Sequence, residues 1–383
     1  MEVLRHLRPE GLIVRLRRRT MHASCARVAC VLAFTVLAAG CAGTQRSAAP
    51  LRPNTNGVRW PVKTREHVDL WLHGFALLMN DTATVPLFER GYHDRLTIIK
   101  NERKVYTMLD SLHVNLAATL RTRPQLEGAQ FLALYFASWE EMKQAFEYFL
   151  KAEGEPRNAT NQEVQAIIAF LASNFPRAED RAFARKFVDA LADERTKFHH
   201  QWWVEQQAAR RPGLAAADSL WQSKWRPAMQ TLLSHTQQGN GDLIVSTVLG
   251  AEGRSVPAGK NASQYAVAWP ASADSAEVML FAFVHEASGA IVNVAVNDNL
   301  TPAQQREGLG TRYSTQGLVR GGAIIVARID PALAERYARW YLAQTGKPVP
   351  ESGALAALEA AFPMPAEMIE SMKRQVNLAF TGI

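Results

Sequence analysis

The sequence predicts an α+β, mainly helical fold, and three features carry that reading. Apolar residues recur at steps of three and four through much of residues 62–236, the period of a helix with one buried face. A turn-rich hinge, Gln237-Gln238-Gly239-Asn240-Gly241, then breaks the pattern. Beyond it, Asp242–Leu249 (DLIVSTVL) and Gln264–Trp269 (QYAVAW) are apolar and partly β-branched, so they predict a strand pair, after which helical spacing resumes. A chain of 383 residues can bury one large core or two ordinary ones.

The N-terminal residues predict where the protein resides. Seven of the 43 basic residues and two of the 36 acidic ones fall in residues 1–40. The remainder carries a net charge of only +2 against +7 for the whole chain, so the basic balance belongs to the leader and predicts no nucleic-acid partner. After this Arg-rich region comes the apolar run Val28–Ala39, too short for a permanent membrane span. It ends in Leu37-Ala38-Ala39-Gly40-Cys41, which resembles the lipobox of bacterial lipoproteins, with Leu one place earlier than the commonest form. The resemblance implies residues 1–40 as a lipoprotein signal peptide and Cys41 as the lipid attachment site. Ala42 in place of Asp implies an outer-membrane lipoprotein facing the periplasm. Met21 offers a second start, which would give a compact leader. All three cysteines (Cys25, Cys30, Cys41) lie within or at the end of this leader, leaving no disulfide and no thiolate metal site for the body.

Residues 41–61, rich in Ser, Thr, Pro, Gly and Asn, read as a flexible tether. In the helical region 62–236, Thr64 is the expected cap of a helix reaching Met79. His67 and His73, six residues apart, point to different sides of that helix and read as surface or satisfied core histidines rather than joint ligands. Val105, Leu109, Leu112, Leu116 and Leu120 form one apolar stripe that ends at Arg123-Pro124, and Glu127–Leu150 reads as buried on most sides. Glu163–Phe175 predicts another amphipathic helix, and Asp180 opens the longest one, expected to close at Arg210-Arg211-Pro212-Gly213. Within it, adjacent His199 and His200 diverge by roughly 100° and cannot easily share an ion, while Trp202 belongs to an apolar face. Residues 216–233 then predict a further helix carrying Trp221 and Trp225.

The last region, 237–383, holds the strand pair and several helices. Val278–Asp298 (VMLFAFVHEASGAIVNVAVND) predicts an apolar helix with His285-Glu286 at its centre. Thr301-Pro302-Ala303-Gln304 has the order of a helix start. Gly308–Gly322, with five glycines, reads as loop, followed by an apolar segment to Ile329 and a helix capped by Asp330-Pro331.

His285-Glu286, preceded by a strand pair and followed by further helices, resembles the zincin-like peptidases of the gluzincin type. There a His-Glu-x-x-His helix presents two imidazoles to one Zn²⁺ while the Glu serves as general base. The resemblance implies His285 as a zinc ligand, Glu286 as the catalytic base, and Gln264–Trp269 as the strand that binds substrate backbone. This sequence departs from the pattern at Gly289, which leaves the second ligand position empty. Neither Glu307 nor Glu335 can be assigned as a further ligand from spacing. The expected function is therefore an envelope-anchored lipoprotein resembling a zinc metallopeptidase, with an impaired or non-catalytic site. The alternative is a non-enzymatic periplasmic binding or scaffolding lipoprotein unrelated to peptidases. The expected partners are the membrane, through the lipid, and a peptide or protein.

Overall fold

One mixed sheet lies between two helical cores in the computed structural model, which describes residues 60–79 and 83–382. The expected signal peptide, Cys41 and nearly all of the expected tether lie outside the described residues. The sheet comprises β1 (Val62–Lys63), β2 (Asn240–Ser246), β3 (Arg254–Gly259) and β4 (Ala262–Ala268), in the order β1-β2-β4-β3. Strand β2 runs parallel to β1 and β4, and β3 pairs antiparallel with β4. Successive side chains point to opposite faces of a strand. Ile244 and Ala266 accordingly join the first core, whereas Leu243, Val245, Tyr265 and Val267 join the second. Burial on both faces is why these two strands read as nearly continuous apolar runs.

The expected strand pair is thus a four-stranded sheet. Strand β1 has two residues, too few to show alternation, and β3 lies in the polar stretch expected as loop or hairpin connection. Its exposed Arg254, Ser255, Pro257 and Gly259 mark an edge strand, and Pro257 blunts that edge. Because β1 pairs with β2, the regions on either side of residue 237 share one sheet and are not spatially separate. The described chain enters this sheet through Trp60. Its ring is buried among Trp221, Tyr265 and Phe283, and its carbonyl accepts from Trp221 Nε1 at 2.9 Å and Gln222 Nε2 at 3.1 Å.

The first core is built from α1 (Glu66–Leu78), α2 (Tyr92–Glu102), α3 (Met108–Thr122), α4 (Trp139–Lys151), α5 (Gln162–Asn174) and α6 (Ala178–Glu194). Trp71 sits at its centre, in ring contact with Phe75, Phe146 and Phe187. Thr64 is not the cap of α1: Arg65 occupies that position, and the Thr64 hydroxyl donates to Gln207. The aromatic stretch 127–150 divides into 3₁₀ turns, Pro124–Tyr135, and then α4, restarted by Ser138 accepting from the Glu141 amide at 3.1 Å.

Helix α6 does not stop where expected. It continues through a π-helical turn (Arg195–His199), α7 (His200–Leu220), a second π turn (Trp221–Trp225) and a last turn to Ala228. Pro212 lies inside α7. An interior Pro costs roughly 3 kcal/mol, but the turns beyond it bury Ala217, Trp221 and Trp225 in the second core, and that burial offsets the cost.

The second core surrounds α8 (Glu277–Ala287) and α9 (Gly289–Asn299), which together form the stretch centred on His285-Glu286. Residues 273–299 are long and apolar enough to cross a membrane, yet here 67% of the most apolar window is buried as a core helix. Around them pack α10 (Leu309–Ile329), α11 (Pro331–Gln344), α12 (Ala354–Ala361) and α13 (Ala366–Thr381). The expected loop 308–322 is therefore almost entirely helical. Two of its glycines serve close approach: a Cβ on Gly317 would lie 2.5 Å from Val292 Cγ1, and one on Gly322 would collide with the Tyr337 hydroxyl.

Candidate functional site

His285 and Glu286 occupy the end of α8, His285 buried in the second core and Glu286 at its margin. The two side chains are 2% and 9% exposed, and His285 Nδ1 donates to Glu286 Oε1 at 3.0 Å. The imidazole stacks on Tyr341, whose hydroxyl donates to the Ala251 carbonyl at 2.8 Å. Glu286 packs on the turn before β3, where a Cβ on Gly253 would come within 3.2 Å of Glu286 Cγ. At Ser288 the helix is interrupted, and the Ser288 hydroxyl donates to the His285 carbonyl at 2.7 Å.

This arrangement does not fit a catalytic zinc. With Nδ1 committed as a donor, His285 Nε2 is the one free lone pair, and it is buried without a partner. Among the described residues no three His, Cys, Asp or Glu side chains converge as a metal site, whereas a catalytic zinc is held by three protein ligands. Gly289 supplies no donor. Strand β4 also lacks the free edge that the resemblance implies for a substrate-binding strand. It is paired with β2 on one side and, over Ala262–Ala266, with β3 on the other.

Two polar clusters that the sequence did not reveal lie between the sheet and the first core, and within that core. The first covers the polar side of β2. Asp242 is paired with Lys63 at 2.6 Å and Arg65 at 3.1 Å, and Arg65 also donates to Gln264 at 3.3 Å. One helical turn along α1, Asp69 is buried and accepts from Trp203 Nε1 at 2.8 Å. Its Oδ1 makes no hydrogen bond of good geometry, although the Ser246 hydroxyl and Thr247 amide lie beside it. Burial pushes the Asp69 carboxyl up to about 7, against the favourable influence of Ser246, Trp203 and Arg210. A group poised near neutrality can exchange a proton at physiological pH, but in this conformation the carboxyl is closed to solvent. A lone Asp within the apolar run Val68–Leu72 was the available signal.

The second cluster is centred on Glu194, the last residue of α6. His73 Nε2 donates to its carboxylate at 3.1 Å, Lys100 Nζ at 2.9 Å, and the Thr107 hydroxyl also donates. The Tyr92 hydroxyl meets His73 Nδ1 at 2.9 Å. Burial alone would raise the Glu194 carboxyl, but these donors, with the charges of His73 and Lys100, hold it down at about 2. His199, one ring away at 5.0 Å from His73, is fully buried with neither ring nitrogen partnered, and burial keeps it neutral. The signal for Glu194 was its place in the stripe Phe183, Phe187, Leu191, Phe198, where a charge must be matched inside the core.

His67 and His73 are core histidines with partners: His67 Nε2 donates to the Phe136 carbonyl at 3.0 Å. His200 is exposed, directed to Glu66 and away from buried His199, as adjacent helical positions require. Compared with protein-family profiles, with curated proteins and with solved structures, the chain gives no significant match.

Proposed function

We propose that this chain is an envelope-anchored lipoprotein of the binding or scaffolding kind. It resembles the zincin-like peptidases in the order of its later elements but does not carry out their chemistry. One observation carries the reading: His285 and Glu286, the implied ligand and the implied base, bond to each other, with the imidazole buried. A general base must reach a water and a substrate, and Glu286 is instead committed to His285, with only 9% of its side chain exposed. Its place at the periplasmic face of the outer membrane rests on the lipobox-like residues ending in Cys41.

The test compares zinc content and peptide hydrolysis in the purified wild-type chain and in His285→Ala. The expected result is no hydrolysis and no zinc that depends on His285. Stoichiometric zinc lost in His285→Ala, together with peptidase activity, would overturn the reading. Anchoring is tested separately by Cys41→Ser, which is expected to abolish lipid labelling; persistent labelling would refute it.

A further inference from the structure

A surface cavity of about 550 Å³ opens on the first core, between the C-terminal end of α1, the start of α2 and the middle of α3. Two histidines line it, His93 on α2 and His113 on α3, with ring centroids 5.9 Å apart and planes at 49°. Each ring has one nitrogen committed. His93 Nδ1 donates to Asp94 Oδ1 at 3.1 Å, and His113 Nε2 donates to the Leu77 carbonyl at 3.0 Å. In a neutral imidazole this fixes the tautomer and leaves the other nitrogen, His93 Nε2 or His113 Nδ1, as a lone-pair acceptor. A carboxylate on one histidine and a backbone carbonyl on the other are the outer partners that orient metal-ligating imidazoles.

From this geometry we infer that His93 and His113 form a two-histidine site for a transition-metal dication such as Zn²⁺ or Ni²⁺. One ion bonded to both rings at about 2.0–2.1 Å accommodates centroid separations up to roughly 6.5 Å, and the 5.9 Å between these two rings lies within that reach. No third His, Cys, Asp or Glu completes a set among the described residues. The remaining coordination positions therefore belong to water or to a small ligand in the cavity. Helix ends act in opposite directions here. The start of α2 disfavours a cation and the C-terminal end of α1, at Leu77–Leu78, favours one. The two imidazoles decide the balance. His285 has no part in this site.

The test is calorimetric titration of the full-length, tag-free chain with Zn²⁺ and, separately, with Ni²⁺. One equivalent is expected to bind at pH 7.5. Affinity should fall at least tenfold in His93→Ala and in His113→Ala, and about tenfold in Asp94→Asn, the loss expected on removing an outer partner. His285→Ala should leave binding unchanged, which separates this inference from the question of zinc at His285. If His113→Ala fails to fold, exposed His93 still decides the matter. Absence of one-to-one binding, or binding that survives His93→Ala at wild-type affinity, would overturn the inference.

Discussion

His285 lies face to face with Tyr341, their ring planes 20° from parallel and their centroids 5.6 Å apart. Tyr341 is itself tied to the Ala251 carbonyl, so imidazole, phenol and the segment between β2 and β3 form one stack. His285→Ala removes a buried ring from this stack and is expected to cost about 2–4 kcal/mol. Urea unfolding of the Cys41→Ser background, with and without the substitution, measures the loss. Unchanged stability would show that the pair is not part of the core's support.

Asp69 gives a pH dependence opposite in sign to that of Glu194. Its carboxyl is raised from 3.8 to about 7 in the fold, so the unfolded chain releases this proton first. The contribution is neutral below about 4 and becomes increasingly destabilising as the pH rises towards 7, by roughly 4 kcal/mol at most. Asp69→Asn keeps an acceptor for Trp203 and removes the ionisation. The variant should gain stability relative to wild type at pH 8 and lose that advantage at pH 4. Parallel stability–pH curves for the two proteins would count against the assignment.

Glu194 works the other way. Its carboxyl is lowered from 4.5 to about 2, so the stabilisation it provides is complete above 4.5 and is lost as the pH falls from 4.5 to 2. His67 adds to acid sensitivity over a higher window. Burial lowers it from 6.5 to about 4, so stability declines as the pH falls through that interval. Lys100→Met leaves the Glu194 charge without its ammonium partner and should cost about 3–5 kcal/mol at pH 7. Thermal melts at pH 7 would reveal it, and a melting temperature equal to wild type would show that the buried pair is dispensable.

Two glycines of the second core should respond in opposite senses to alanine. Gly322→Ala drives a methyl into the Tyr337 hydroxyl, which donates to the Val319 carbonyl at 2.9 Å. A loss of about 1–3 kcal/mol is expected. Gly289, the position where the zincin resemblance requires a second ligand, is helical, and an added Cβ would meet only Leu318 Cδ2 at 3.8 Å. Gly289→Ala should therefore stabilise by about 0.5–1 kcal/mol. Chemical denaturation of both variants checks the signs, and destabilisation by Gly289→Ala would mean that this glycine has a role beyond its backbone.

The helical stripes were legible because a buried face repeats with the period of the helix: Leu109, Leu116 and Leu120 are all in the first core. Strands β2 and β4 were legible because burial on both faces leaves no polar alternation. What misled was residue chemistry overridden by packing. Pro212 and the glycines from Gly310 to Gly322 usually interrupt helices, yet here long-range burial and close helix contacts decide their conformation. For the site, the dipeptide His285-Glu286 was visible, but its mutual hydrogen bond and its stacking on Tyr341, 56 positions later, depend on the fold. The pairing of His93 with His113 is likewise a property of two helices side by side.

Trp60 gives the molecule a mechanical character. Any tension on the segment ahead of it meets an indole seated among three other rings and a β1 strand lying parallel to β2. A pull along β1 loads its hydrogen bonds to β2 together, in shear, rather than opening them one at a time. The same pull also reaches the long helix from Ala178 to Ala228 through Trp221 and Gln222. Force entering at residue 60 is thereby shared between both cores, and an optical-trap extension should show one concerted rupture rather than early peeling of the first strand.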